Sequence, residues 1–379
     1  MNKESQLRPY QIKAINYILN KKKCGLALDM GLGKTISSLT AFVKLHNKQV
    51  KKLLIIAPLN VAKSVWSSEI LNWEHTCHLT YSICVGNEAS RLKALNKDVD
   101  VYIINQENVK WMFDNGFSKY GMIIADESQG FKNPSSQRFK CLRKFTCKYM
   151  VLLTGTPMPK SYMDMWAQQC LIDDGKLLGR NISEYRRNYF SYDSRRFEYT
   201  CLNRPLISQL LQDYWLSMDS KDYLELPDRF SNVISVNIDN YGAYKSFEND
   251  YIMQINDENI KAVSAGVLSN KLIQYCNGAV YTENKEYIEI HNNKLDSLQC
   301  IIENHPDENI LVAFNFKCDE IRLKKRFKNA ITLTSKTIVD VEQQWNKKRI
   351  KLLLCQCSTA KGLNLQKGGR IIVWFGLTW

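Results

Sequence analysis

The segment Asp29-Met30-Gly31-Leu32-Gly33-Lys34-Thr35 follows an apolar run and leads into a stretch with helical periodicity. That combination suits a grip on phosphate oxygens. Glycines let backbone N–H groups close around the oxygens, and a helix start adds its positive dipole end. A lysine at position 34 would reach the outer phosphates, and the Thr35 hydroxyl would ligate Mg²⁺. The strict phosphate-loop pattern has glycine where this chain has Leu28, so the loop alone also fits a glycine turn before a helix. A second run, Met122-Ile123-Ile124-Ala125-Asp126-Glu127, carries an apolar strand straight into two carboxylates. Carboxylates avoid a sheet core, but at the C-terminal edge of a parallel sheet they face the ligand crevice. Asp126 is then the Mg²⁺-side carboxylate, and Glu127 the group that polarises an attacking water. Taken together, Lys34, Asp126 and Glu127 point to a nucleotide hydrolase.

Positioning these groups requires strands that end on one edge of a sheet. Short apolar runs at 25–30, 53–59, 99–105, 122–126 and 150–154 alternate with stretches such as 11–19 and 36–45. In the latter, apolar positions recur at three- and four-residue spacing. Strands alternating with helices predict a parallel sheet covered on both faces, an α/β architecture. From 172 to 228 the chain is rich in Arg, Tyr, Asn and Ser without strand rhythm, as a helical or irregular insertion would be. Helical stretches at 241–255 and 263–276 precede a second strand–helix series, with strands expected at 310–314, 331–333, 352–355 and 371–375. The expected organisation is a first lobe at 1–171, an insertion or linker at 172–231 and a second lobe at 232–379.

Composition sets outer bounds. The chain has 379 residues, enough for two or three domains of roughly 100–200 residues each. Hydrophobic residues make up 45% and charged residues 24%, which excludes wholesale disorder. No apolar run approaches the roughly 18 residues of a membrane span. The first ten residues are polar, so no secretory signal is expected. Twelve cysteines without any C-x-x-C pair read as reduced thiols in a cytosolic chain. The net charge of +14 admits either a footprint for nucleic acid or solvated surface lysine, and charge alone does not decide. The Arg/Tyr-rich stretch with Tyr185, Arg186, Arg187, Tyr189, Phe190 and Tyr192 is the best nucleic-acid candidate, since rings stack on bases while arginines pair with phosphates. His75, Cys77 and His78 lack a second ligand pair at zinc spacing and read as a surface loop, and Trp66 and Trp73 read as packing residues.

Several motifs in order carry a resemblance to a known family. Leu7-Arg8-Pro9-Tyr10-Gln11, the loop through Thr35, Ala57-Pro58-Leu59, Asp126-Glu127-Ser128-Gln129 and Thr154-Gly155-Thr156-Pro157 follow the sequence of superfamily-two helicase motifs. The chain resembles the Swi/Snf-type ATPases, and within them the small phage-encoded branch, through Asn105-Gln106-Glu107-Asn108-Val109, Phe131-Lys132-Asn133-Pro134 and Trp374-Phe375-Gly376-Leu377-Thr378-Trp379. The resemblance implies two RecA-like parallel-sheet lobes and an ATP- and Mg²⁺-dependent motor on DNA, double-stranded by family analogy. It implies ATP contacts from Arg8, Gln11, Met30, Gly31, Leu32, Gly33, Lys34 and Thr35, with Gln11 reading adenine, and from Gly362 of the second lobe. Thr35 and Asp126 would hold the metal. Pro58, Asn105 and Glu107 would lie along the nucleic-acid track, Thr154 and Thr156 would link nucleotide state to lobe movement, and Ser358 and Asn364 belong to the motif that touches the DNA backbone.

In this family a Gln- and Arg-bearing helix, the sixth motif, follows the W-F-G-L-T-W strand, and here the sequence stops at Trp379. The expectation is a second lobe cut short, with Ile371, Val373 and Phe375 partly exposed, and a partner that supplies the missing arginines or a weak hydrolase. A nucleotide-gated DNA-binding module with little turnover is the rival reading. A phage-encoded chain would work in a bacterial cytoplasm.

Overall fold

The computed structural model describes residues 1–158, 161–225, 230–255, 258–262, 264–334, 337–359 and 363–376. The chain divides into two compact units, residues 1–228 and 229–379.

The first unit is built on β1 (Lys23–Leu28), β2 (Leu53–Ala57), β3 (Tyr81–Cys84), β4 (Val101–Asn105), β5 (Met122–Asp126) and β6 (Tyr149–Thr154). Beyond them lie a hairpin of β7 (Phe190–Asp193) and β8 (Glu198–Cys201), then β9 (Trp215–Met218). Seven strands form one sheet in the order β3-β4-β2-β5-β6-β1-β9, every pair parallel. Leu, Ile and Val fill β2, β4, β5 and β6, and these strands are buried on both faces, as helix-covered parallel strands must be. One face packs against α1 (Pro9–Lys21), α2 (Lys34–Leu45) and α3 (Trp66–Asn72). The other packs against helices that include Met165–Asp173 and Ile182–Tyr189.

The segment 172–228, expected to lack strands, supplies β7, β8 and β9, and β9 extends the first sheet beside β1. Gly25 makes this possible. A Cβ there would stand 2.2 Å from the Trp215 ring, so the indole lies directly over β1, and its Nε1 donates to the buried Gln169 Oε1 at 2.9 Å. Four residues, Trp-Leu-Ser-Met, are too few to display an alternating pattern. The edge strand β3 also lacks a legible run, because only alternate residues are buried.

The second unit holds two short antiparallel pairs, β10 (Ile252–Ile255) with β11 (Glu258–Lys261) and β12 (Ala279–Tyr281) with β13 (Tyr287–Glu289). Its parallel sheet contains β14 (Ile310–Phe314), β15 (Ile331–Leu333), β16 (Leu352–Gln356) and β17 (Ile371–Trp374), in the order β15-β16-β14-β17. The helix expected over 241–255 stops at Asp250: Tyr251 takes a left-handed φ of 61°, and β10 follows. Exposure around β17 agrees with expectation at Ile371 and Val373, which are half-buried, and differs at Phe375. Phe375 is buried, and the open side chains are Ile372 and Trp374, the latter 61% exposed. The strand's period of two turns 371, 373 and 375 toward the core under helix Asn293–Asn304 and leaves the even positions outside.

Candidate active site

Because the first sheet is parallel, the residues that follow its strands emerge at one edge. Asp29 begins the loop after β1, Pro58 follows β2, Asn105 closes β4, Asp126 closes β5 and Thr154 closes β6. In sheet order β6 lies between β5 and β1, so Thr154 sits between the acid pair and the phosphate loop.

Gly31 and Gly33 take φ values of 87° and 72°, where a side chain would be strained. Gly33 is also crowded: a Cβ would stand 2.2 Å from Gln11 Nε2. Gln11 reaches this point from the first turn of α1, which Pro9 opens. Its Oε1 accepts the Arg8 backbone N–H at 2.8 Å, leaving the amide nitrogen beside the loop. Lys34 starts α2, and its Nζ donates to the carbonyls of Leu28 at 2.6 Å and Asp29 at 3.2 Å. Burial lowers the Lys34 pKa, and the charges of Glu127, Asp126 and Asp29 oppose that shift only in part. Leu32 is buried in the core and Met30 is exposed, so neither side chain enters the loop's polar interior. Asp29 is anchored from β9's side by Ser220, whose N–H and hydroxyl donate to Oδ2 at 2.9 and 3.0 Å and hold that carboxyl below its usual range.

Asp126 is buried at the end of β5. Burial, then the neighbouring Glu127 charge, push its carboxyl up to about 6. The Trp66 indole N–H, 3.0 Å from Oδ2, and the Glu127 backbone N–H, 3.0 Å from Oδ1, act in the other direction. Glu127 itself has a left-handed backbone, φ 49° and ψ 56°, uncommon for a residue with a side chain and the kind of strain found at functional sites. Gln106 fixes this turn, donating to the carbonyls of Asp126 at 2.7 Å and Glu127 at 3.1 Å. From the Glu127 side chain a chain of hydrogen bonds runs outward. Gln129 Nε2 donates to Glu127 Oε2 at 2.5 Å, Thr154 Oγ1 donates to Gln129 Oε1 at 2.7 Å, and the Thr156 N–H donates to Thr154 Oγ1 at 3.0 Å.

The donor set fits a magnesium nucleotide. A lysine sits beside two left-handed glycines, and the Thr35 hydroxyl and Asp126 carboxylate are of the hard-oxygen kind that Mg²⁺ prefers. Asn105 Nδ2 donates to Glu107 Oε2 at 2.7 Å, and the Pro58 carbonyl accepts from the Ala62 N–H at 2.8 Å. Ser358 and Asn364 belong to the second unit, after β16; Ser358 is exposed, and the Asn364 N–H donates to Glu342 Oε1 at 3.1 Å. Gly362 lies outside the described residues, as do Leu377, Thr378 and Trp379. His75 Nε2 lies 2.8 Å from Thr40 Oγ1. Trp66, read from sequence as packing, is a buried donor to Asp126. Gln129 stands two residues after Glu127, and an amide beside the acid pair is its sequence signal; Gln106, 20 residues before Asp126, carries none. Nothing local marks Ser220, which lies 191 residues from Asp29.

A phosphate loop, an acid pair two strands away and a threonine strand between them define a nucleotide-binding lobe of helicase type. The SNF2-related domain model matches residues 10–284, and the chain belongs to that family. It is similar to protein p41 of Acyrthosiphon pisum secondary endosymbiont phage 1, 33% identical over 98% of this chain and 85% of that protein. Over 43% of its length it is 31% identical to the ISWI chromatin-remodeling complex ATPase ISW1 of Saccharomyces cerevisiae, of which it spans 15%. Among solved structures, the Sulfolobus solfataricus SWI2/SNF2 ATPase core in complex with dsDNA superposes with a TM-score of 0.53 at 21% identity, covering 98% of this chain and 82% of that one. The fold is that of a SWI2/SNF2 ATPase core, with two RecA-like parallel-sheet lobes. Among the described residues no helix is long and apolar enough to cross a membrane.

Proposed function

We propose that this chain hydrolyses ATP and couples the reaction to movement along double-stranded DNA. The observation that carries the reading is the hydrogen-bond chain from Glu127 through Gln129 to Thr154 and Thr156. It ties the group placed to activate water to a strand end that can report nucleotide state. Family membership supports ATP as the nucleotide, and the DNA-bound core from Sulfolobus supports duplex DNA as the track.

In this reading the backbone of 30–33 and Lys34 hold the phosphates, while Gln11 and Arg8 meet the adenine end. Mg²⁺, held through Thr35 and Asp126, supplies charge neutralisation on the phosphates. Glu127 accepts the proton of the attacking water, and its neighbour Gln129 keeps the carboxylate aimed. Pro58, Asn105 and Glu107 of the first lobe, with Ser358 and Asn364 of the second, meet the DNA. Its basic excess suits that polyanion.

ATP turnover measured with and without duplex DNA tests the reading. Duplex-stimulated hydrolysis that Lys34→Ala and Glu127→Gln both abolish is expected. Nucleotide-responsive DNA binding without turnover would replace the motor with a gated binding module, and stimulation by RNA alone would reassign the track.

A further inference from the structure

The β7–β8 hairpin presents an aromatic and cationic surface that the ATP site does not use. Tyr185 and Phe190, candidate stacking rings on sequence alone, are buried in the first unit's core and root the hairpin there. The Tyr185 hydroxyl donates to the Tyr162 carbonyl at 2.9 Å. Beyond this root, Tyr192 and Tyr199 stand directly opposite across the ladder, ring centroids 4.8 Å apart, and both are exposed. The Arg186 guanidinium lies over the Tyr199 ring at 4.8 Å. At the tip Phe197 is 80% exposed with a left-handed φ of 54°. A bulky side chain there costs roughly 1–2 kcal/mol, which glycine would avoid.

The tip turn is tied by its own aspartate: Asp193 Oδ1 accepts the backbone N–H groups of Arg195 at 2.8 Å and Arg196 at 3.3 Å. Between 186 and 204 there are arginines at 186, 187, 195, 196 and 204 against only Asp193 and Glu198. Asp193 is already committed to the turn and to Arg196. Arg187 and Arg195 are exposed and form no ion pair among the described residues. Exposed rings spaced along a short hairpin and interleaved with free guanidinium groups match unpaired bases joined by phosphates. A paired, stacked base offers such rings no face.

We infer that the β7–β8 hairpin binds unpaired nucleotides of DNA next to the duplex, stacking bases on Tyr192, Tyr199 and Phe197 and pairing phosphates with Arg187, Arg195 and Arg196. This deepens the motor reading and rests on the chain being a DNA-binding protein.

The test is fluorescence anisotropy of the full chain without nucleotide, on a blunt duplex and on the same duplex carrying a single-stranded tail. Native protein is expected to prefer the tailed duplex. Tyr192→Ala with Phe197→Ala should weaken tailed binding by about thirtyfold or more while blunt binding holds, and Tyr192→Phe with Phe197→Trp should restore it. Arg195→Ala with Arg196→Ala should lower the salt slope on the tail by about 1.4, two phosphate contacts' worth. Equal affinity for both DNAs, or ring variants that bind the tail like the native chain, would overturn the inference and leave the surface to a protein partner. Duplex-stimulated ATP turnover without tail preference sinks the hairpin inference alone. Tail preference without turnover sinks the motor reading alone.

Discussion

Each unit buries a cluster of charged and amide side chains, and the two clusters differ in what their charges face. In the first unit Asp126, Glu127, Gln129 and Thr154 stand at strand ends, with Lys34 coupled to them from the loop. In the second, Arg322, 1% exposed, donates to the carbonyls of Asn277 at 2.6 Å and His291 at 2.5 Å. Beside it Asn277 donates to Asp319 at 3.1 Å, and Lys294 donates to Asn277 Oδ1 at 2.7 Å and the Phe375 carbonyl at 3.0 Å. Burial shifts pKa values in both places, raising Asp126 and Asp319 and lowering Lys34 and Lys294. A perturbed buried charge therefore does not by itself mark chemistry. The second cluster directs its donors to backbone carbonyls, a neighbouring amide and the Asp319 carboxylate, which ties helix ends and a strand end together. The first keeps a carboxylate on a strained turn at the sheet edge, with left-handed glycines opposite.

This contrast can be broken by substitution. Lys34→Ala or Glu127→Gln should lower ATP turnover by roughly a thousandfold or more while shifting the melting temperature by only a few degrees. Arg322→Ala should do the reverse in kind. It should destabilise the second unit by about 3–5 kcal/mol, because it strips partners from buried polar groups, and a thermal melt reads the loss. If Arg322→Ala melts like the native chain, the second cluster is not structural. Gln129→Ala, which cuts the link between Glu127 and Thr154, should reduce duplex-stimulated turnover roughly ten- to a hundredfold and leave nucleotide binding intact. Equal loss of stimulated and unstimulated rates would place Gln129 in the chemistry alone.

The smallest effect concerns pH. The folded Asp126 pKa is raised above its unfolded value, so its contribution to stability is fully present below about pH 4 and is lost as pH rises through about 6. Asp126→Asn should therefore melt above the native chain at pH 8, by no more than roughly 2–3 kcal/mol, and match it near pH 4. A native chain more stable than Asp126→Asn at pH 8 without Mg²⁺ would contradict that environment for the carboxyl.

The same contrast explains how much was legible in the sequence. The phosphate loop and the acid pair are contiguous motifs tied to strand ends, so their placement on one edge follows from a parallel sheet. Their supports are not contiguous. Trp66 reaches Asp126 from α3, and Ser220 reaches Asp29 from the far side of a long insertion. An indole at helical spacing carries the same signal whether it packs or donates. In the second unit Arg322 stands in the charged stretch Lys317–Arg326, where sequence offers no sign that one guanidinium points inward. Strand β9 was hidden for another reason: it depends on Gly25, a residue in a different strand, having no side chain.

The central claim is ATP-driven movement along duplex DNA. The most direct measurement is displacement of a third strand, annealed in the major groove of a duplex, by the full chain with Mg²⁺ and ATP. The account predicts displacement that needs hydrolysable ATP and is lost in Glu127→Gln. Duplex-stimulated ATP hydrolysis with the third strand left in place, or displacement that proceeds without ATP, would contradict it.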